Sequence, residues 1–206
     1  DLSVYIMLQY FISMASWFTF FLIIEKIGER ELAASNIVRS AYMILMIPLW
    51  GLGSTASTLV SNAIGEGKAD AVMAILYKVM RLALVAGAVM VILSLSFPWQ
   101  ILSVYTSDPD LQAASLPILY IIQGSLFMFS AAMVFFNGVS GAAATRMGLL
   151  IEIITLAVYL TSTWYFGISL KLPVHQVWFA EYVYVVVMGA LSWLYLRSGR
   201  WKRLNV

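Results

Sequence analysis

The distribution of charged residues constrains this sequence more than any other feature. Six stretches contain at most one charged residue each, and each is at least as long as the ~20 residues that a helix needs to cross a bilayer. They are residues 2–24, 40–65, 82–107, 111–145, 147–170 and 172–196. The strands of a membrane β-barrel would alternate polar and apolar residues over ~10 positions, and these stretches do not. The pattern therefore predicts membrane-spanning helices.

We predict an all-α integral membrane protein, a single bundle of six transmembrane helices over residues 1–206. The helices are expected at about 2–27, 32–64, 70–97, 110–141, 146–168 and 174–197. Residues 100–106 are expected to form a short interfacial helix. The chain begins with Asp1 rather than Met and enters a span almost at once, which indicates a piece of a longer polypeptide.

The composition excludes several classes of protein. Apolar residues make up 62% of the chain and charged residues 11%, against roughly 25% charged residues in a soluble domain. A cytosolic enzyme, a disordered chain and a nucleic-acid binder with a basic stripe are therefore excluded. The sequence has no cysteine, no Walker sequence and no dinucleotide or metal-ligand motif. We therefore expect no metal and no cofactor, and no ATP-driven transport by this chain.

The basic residues predict an orientation, because cytoplasmic loops of membrane proteins are rich in Lys and Arg. One side of the predicted bundle collects Lys68, Lys78, Arg81, Arg146, Arg197, Arg200, Lys202 and Arg203. The other side has Lys26, Arg30 and Lys171, diluted by acidic residues. We therefore expect both ends to be cytoplasmic, in a plasma (inner) membrane.

Ionisable residues inside the predicted spans are the first candidates for function, because each costs at least ~2.5–3.5 kcal/mol on insertion scales. Arg39 and Glu181 each lie about 10 Å from the outer end of a helix, so that an ion pair between them is expected. Glu152 lies about 10 Å from the inner end of its helix. These groups either form a proton or cation site or have structural roles, as an ion pair and as a carboxylate that reaches the interface.

Uncharged polar residues and a proline add further candidates. Gln9 and Asn137 lie within spans, where such side chains usually form hydrogen bonds between helices. Pro48 removes a helical hydrogen bond and is followed by Gly51 and Gly53. This segment is either a hinge or a site of close helix–helix contact.

One motif suggests an enzyme. Residues 138–141 read Gly-Val-Ser-Gly, and His175 follows two helices later, which resembles the rhomboid intramembrane proteases. In the predicted topology, however, Ser140 and His175 lie at opposite ends of their helices, about 30 Å apart. A catalytic base must lie within ~3 Å of its nucleophile. We therefore predict that the chain is not an enzyme.

The segment from Pro48 to Gly67 resembles the MATE (multidrug and toxic compound extrusion) transporters. In that family the second helix of each lobe carries a proline, a small-residue run and an exit that Asn62, Gly65 and Gly67 match here. The turn from Gly138 to Arg146 is similar to the family's ending of the fourth helix. The similarity extends over all six predicted spans.

The resemblance implies one lobe, the C-terminal lobe, of a twelve-helix transporter. It implies a secondary antiporter that exports drugs or organic cations in exchange for H⁺ or Na⁺ by alternating access. The expected partners are membrane lipids, the N-terminal six-helix lobe of the same polypeptide and small cationic or amphipathic substrates, with no nucleic acid. The alternative is a related polytopic carrier or a lipid flippase of similar fold.

This sequence departs from the Na⁺-coupled relatives at their acidic positions. Their acid in the first helix falls near Ser13, and no acid occurs from Phe129 to Phe136, where their fourth helix carries one. Either the coupling acids lie in the other lobe, or Glu152 and Glu181 replace them. In the second case we expect Glu181 to respond to external protons, with Arg39 tuning its pKa.

Overall fold

A computed structural model describes the backbone of residues 2–203 and the side chains of residues 4–202. The described residues form helices and turns without strands. Six long helices are α1 (Leu2–Glu25), α2 (Glu29–Gly65), α3 (Val72–Ser96), α5 (Pro109–Gly141), α6 (Thr145–Trp164) and α8 (Ala180–Arg197). The short helices α4 (Pro98–Ser103) and α7 (Val174–Val177) precede α5 and α8. All six are long and apolar enough to cross a membrane, with α3, α6 and α8 each counted together with the short helical segment beside it. This result confirms the predicted fold class.

Helix α5 forms the centre of the bundle. It is the most buried of the six, and it packs against α2, α3 and α8 through residues such as Leu119, Ile122 and Leu126. Helix α6 lies between α1 and α8, whereas α1 makes little contact with α2. The interior therefore has a second layer, formed by α1, α6 and α8, beside the central helix.

Helices α2 and α5 cross without side chains between their backbones. A Cβ atom added to Gly141 would lie within about 3 Å of three backbone atoms of Ser57. Beside this contact, the Ser61 hydroxyl donates a hydrogen bond of 2.9 Å to the Gly141 carbonyl. Because Gly141 has no side chain, the two backbones approach this closely near the C-terminal ends of both helices.

Both of these helices end in the same way. After α2, Gly67 has a φ of 73°, and the Lys68 N–H donates to the Ala63 carbonyl at 2.8 Å. After α5, Ala143 has a φ of 56°, and the Ala144 N–H donates to the Val139 carbonyl at 3.2 Å. The second turn therefore places a residue with a Cβ atom in the left-handed region, where glycine is favoured.

We expect Ala143→Gly to stabilise the protein by about 1 kcal/mol, because it removes the steric cost of the left-handed conformation. The measurement is thermal unfolding of the purified protein in detergent. The matched control is Ala142→Gly, where φ is −81° and glycine has no conformational advantage. A lower unfolding temperature for Ala143→Gly than for the wild type would contradict the prediction.

The sixth span is interrupted by a tight turn at Trp178 and Phe179, between α7 and α8. The fully buried indole of Trp178 packs edge-on against Phe20, with ring centroids 4.9 Å apart. Its Nε1–H donates to the Ser35 hydroxyl at 3.1 Å. The turn thus lets one aromatic residue connect α1, α2 and the start of the sixth span.

Candidate functional site

Two carboxylates are buried in the layer formed by α1, α6 and α8. Glu152 on α6 is 2% exposed and Glu181 at the start of α8 is 5% exposed. Charged residues are almost never buried to this extent without a partner. The surroundings of these two carboxylates therefore define the candidate site.

Glu152 lies between α1 and α8. Its Oε1 accepts a hydrogen bond of 2.5 Å from the Ser13 hydroxyl and a longer contact of 3.5 Å from the Tyr184 hydroxyl. The Ser13 hydroxyl also lies 2.9 Å from the Gln9 carbonyl, and its single proton serves one acceptor at a time. The second carboxylate oxygen, Oε2, is buried with no hydrogen-bond partner.

Glu181 is held by an aromatic group. The Tyr159 hydroxyl donates a hydrogen bond of 2.8 Å to its Oε1. Phe20 stacks on Tyr159, with ring centroids 5.7 Å apart. The buried carboxylate of Glu181 thus lies beside aromatic rings, and the Tyr159 hydroxyl bonds directly to it.

The expected ion pair between Arg39 and Glu181 is wrong. In the described part of the chain, salt bridges join only Lys68 to Glu66 and Lys202 to Asp70. The Arg39 guanidinium lies over the ring of Phe21 on α1, 4.8 Å from its centroid, and its Nε has no hydrogen-bond partner. Arg39 is only partly buried and lies beside α1, whereas Glu181 is buried between α6 and α8.

The other candidate polar residues lie around this site or away from it. Gln9 is half-buried one turn from Ser13, and its amide oxygen faces Gly148 of α6. Asn137 lies elsewhere, on α5, where its amide donates to the Met133 carbonyl at 2.9 Å and contacts Gly53 of α2. Gln9 therefore borders the Glu152 site, and Asn137 belongs to the contact between α2 and α5.

The candidate hinge and the loop motif both lie on α2. The helix continues through Pro48, and both Pro48 and Gly51 are exposed. At the C-terminal end of α2, the Asn62 carbonyl accepts the Glu66 N–H at 2.9 Å, and Gly65 and Gly67 flank the turn. The motif residues therefore end the helix, and a hinge at Pro48 stays a prediction.

The tyrosines of the site were missed in the sequence. Tyr159 follows Glu152 by seven residues on α6, and Tyr184 follows Glu181 by three on α8. Both spacings place the tyrosine on the same helix face as its acid. This helical spacing is the signal that could have revealed both residues.

The described residues contain no group of three or more His, Cys, Asp or Glu side chains that could hold a metal ion. What the site offers is two separate carboxylates with hydroxyl partners. Such groups bind protons, or cations that accept oxygen ligands.

Six membrane-length helices with two buried carboxylates define a polytopic membrane protein. The MatE family model matches residues 5–164. The chain therefore belongs to the MatE family, and the resemblance seen in the sequence is confirmed. No curated protein matches the chain significantly.

Solved structures share this fold. A MATE protein in the bent conformation superposes with a TM-score of 0.86 and 15% identity, over 100% of this chain and 47% of that one. An outward-facing multidrug resistance MATE family transporter of the MOP superfamily gives 0.80 and 16%, over 98% and 44%. A MOP superfamily transporter from Pyrococcus furiosus, described as having a binding pocket of reverse polarity, gives the same values. The chain thus spans less than half the length of these structures.

Proposed function

We propose that this chain is one lobe of a secondary active antiporter that exports cationic or amphipathic small molecules in exchange for H⁺ or Na⁺. Alternating access between two lobes moves the substrate, and Glu152 and Glu181 bind the coupling ion. The observation that carries the proposal is the pair of buried carboxylates, which form no ion pair with any basic residue in the described part of the chain.

An unpaired buried carboxylate is costly in its charged form, because its hydration is lost without compensation. The Oε2 atom of Glu152 is buried and accepts no hydrogen bond, so that nothing compensates for its lost hydration. A bound proton or cation removes the uncompensated charge. If two arrangements of the lobe differ in how well they solvate the carboxylates, ion binding shifts the balance between them.

The proposed partner in transport is a second six-helix lobe, since the chain covers 44% to 47% of the MATE structures that it matches. Lipids surround the assembly, which we place in the inner membrane. Basic residues at the inner ends of the helices favour cytoplasmic termini.

Ethidium efflux tests the proposed function. Cells that express the full polypeptide containing this chain are expected to expel ethidium faster than cells with an empty vector. Collapse of the proton or sodium gradient is expected to remove the difference, because a secondary antiporter has no other energy source. Efflux that persists after both gradients are collapsed would contradict the proposal.

A further inference from the structure

Polar residues run along the buried face of α6 over nearly its whole length. They are Thr145, Glu152, Thr155, Tyr159 and Thr163, all buried and spaced so that they share one helix face. From first to last they span about 27 Å, close to the ~30 Å thickness of the hydrocarbon core. Ile151 and Leu156 are buried beside them, so that the polar residues form a stripe on a partly apolar buried surface.

Helix α8 runs antiparallel to α6 and supplies the matching groups. Tyr184 of α8 faces Glu152, and Glu181 of α8 faces Tyr159. Each acid of one helix is thus opposite a tyrosine of the other. The seven residues from Glu152 to Tyr159 separate the two acid–tyrosine pairs by about 10 Å along the helix axis.

The two tyrosines connect these pairs. The rings of Tyr159 and Tyr184 meet edge to face, with centroids 5.7 Å apart. The Tyr159 hydroxyl bonds to Glu181 and the Tyr184 hydroxyl contacts Glu152, so that the pair of rings lies between the two carboxylates. Between the two pairs, the buried hydroxyl of Thr155 has no hydrogen-bond partner. Proton-carrying groups therefore follow one another from one carboxylate towards the other.

We propose that Glu152 and Glu181 are two binding positions for one exchangeable proton, connected by the hydroxyls of Tyr159 and Tyr184. This inference rests on the proposed function and narrows the coupling ion to H⁺. The proton of Glu181 passes to the Tyr159 oxygen as the Tyr159 proton passes to Tyr184 and the Tyr184 proton to Glu152. Each tyrosine gains one proton and releases one, and one negative charge moves from Glu152 to Glu181.

The groups around this relay favour a neutralising proton over a fixed counter-ion. From α1, Ser13 donates a hydrogen bond to Glu152, and from α2, the partly buried Arg39 lies over the Phe21 ring and forms no salt bridge with Glu181. Tyr182 of α8 donates its proton to the Ile121 carbonyl of α5 and is thereby occupied. No described basic residue forms a salt bridge with either carboxylate, so that a proton is the charge that the site lacks.

Two assays on the full polypeptide in proteoliposomes test the relay. We expect Tyr159→Phe and Tyr184→Phe each to lower ethidium transport driven by a pH gradient at least about tenfold, because a positioned proton carrier is removed. Exchange of labelled for unlabelled ethidium needs no net proton movement and is expected to keep its wild-type rate. The matched control is Tyr165→Phe, which removes the hydroxyl of an exposed tyrosine just beyond α6.

Infrared difference spectra give a readout that does not depend on transport. In the wild type, the carbonyl stretches of protonated Glu152 and Glu181 are expected to change together with pH, because they share a proton. Glu152→Gln and Glu181→Gln assign the two bands. In the Tyr→Phe variants the bands are expected to titrate independently.

The outcomes separate the relay from the antiport. Wild-type transport driven by neither H⁺ nor Na⁺ would overturn both. Transport driven by Na⁺ alone, or wild-type proton coupling in both Tyr→Phe variants, would overturn the relay and leave the antiport standing. A loss of exchange together with gradient-driven transport would assign the tyrosines a structural role and would also overturn the relay.

Discussion

Glu181→Gln and Glu152→Gln are each expected to abolish ion-driven ethidium efflux, with a loss of at least about tenfold. Glutamine keeps the size and a carbonyl oxygen for Tyr159 or Ser13, but it neither binds an exchangeable proton nor carries a charge. The lobe is then fixed in one charge state, and ion binding no longer biases its two arrangements. The loss corresponds to at least about 1.4 kcal/mol of lost coupling.

The measurement is ethidium efflux from cells that express each variant at equal amounts, from mildly acidic to mildly alkaline pH. The matched control is Glu29→Gln, since Glu29 is exposed at the start of α2 and should tolerate the change. If Glu181→Gln pumps at the wild-type rate over this pH range, Glu181 has no part in coupling. Wild-type efflux in both variants would place the coupling acids in the other lobe.

Gly141→Ala is expected to destabilise the protein by about 3 kcal/mol, at the upper end of the usual cost of overpacking. The added Cβ atom meets the backbone of Ser57, which has no side-chain rotamer that could relieve the overlap. Helices α2 and α5 must then separate, and the hydrogen bond from Ser61 to the Gly141 carbonyl lengthens.

Thermal unfolding in detergent and the yield of folded protein measure this effect. Gly51→Ala is the matched control, because Gly51 also lies within α2 but has no atom within 4 Å of an added Cβ atom. Equal unfolding temperatures for the two variants would show that the close contact at Gly141 does not stabilise the bundle.

The six helices can be predicted from the sequence because charges are excluded from the hydrocarbon core. The packing of these helices against one another cannot be predicted in the same way, because surfaces that face lipid and surfaces that face another helix are equally apolar. Helix α1 shows this, since the buried Phe20 and the exposed Phe11 and Phe18 are the same residue type. No amphipathic pattern thus marks the face of α1 that meets α6.

The carboxylates of the site could also be predicted, since an acid within a span is conspicuous. The residues that contact these carboxylates could not be predicted. The position of a residue along the chain gives its depth in the membrane, but not the direction of its side chain around the helix axis. Arg39 and Glu181 were assigned similar depths for this reason, yet Arg39 turns towards Phe21 and Tyr159 binds Glu181. Likewise, nothing in the sequence shows that Ser13 of α1 contacts the acid that α6 supplies.

The crossing with α5 provides a pivot point for α2. The backbones at Ser57 and Gly141 are in close contact, so that sliding of α2 along α5 would meet a steric barrier that tilting about this point, or bending at Pro48, would avoid. The part of α2 from Ser57 to Glu29 is about 42 Å long, and a tilt of about 10° would displace its N-terminal end by about 7 Å. Trp178, whose indole donates a hydrogen bond to Ser35 in this part of α2, would transmit the displacement to the turn that precedes Glu181.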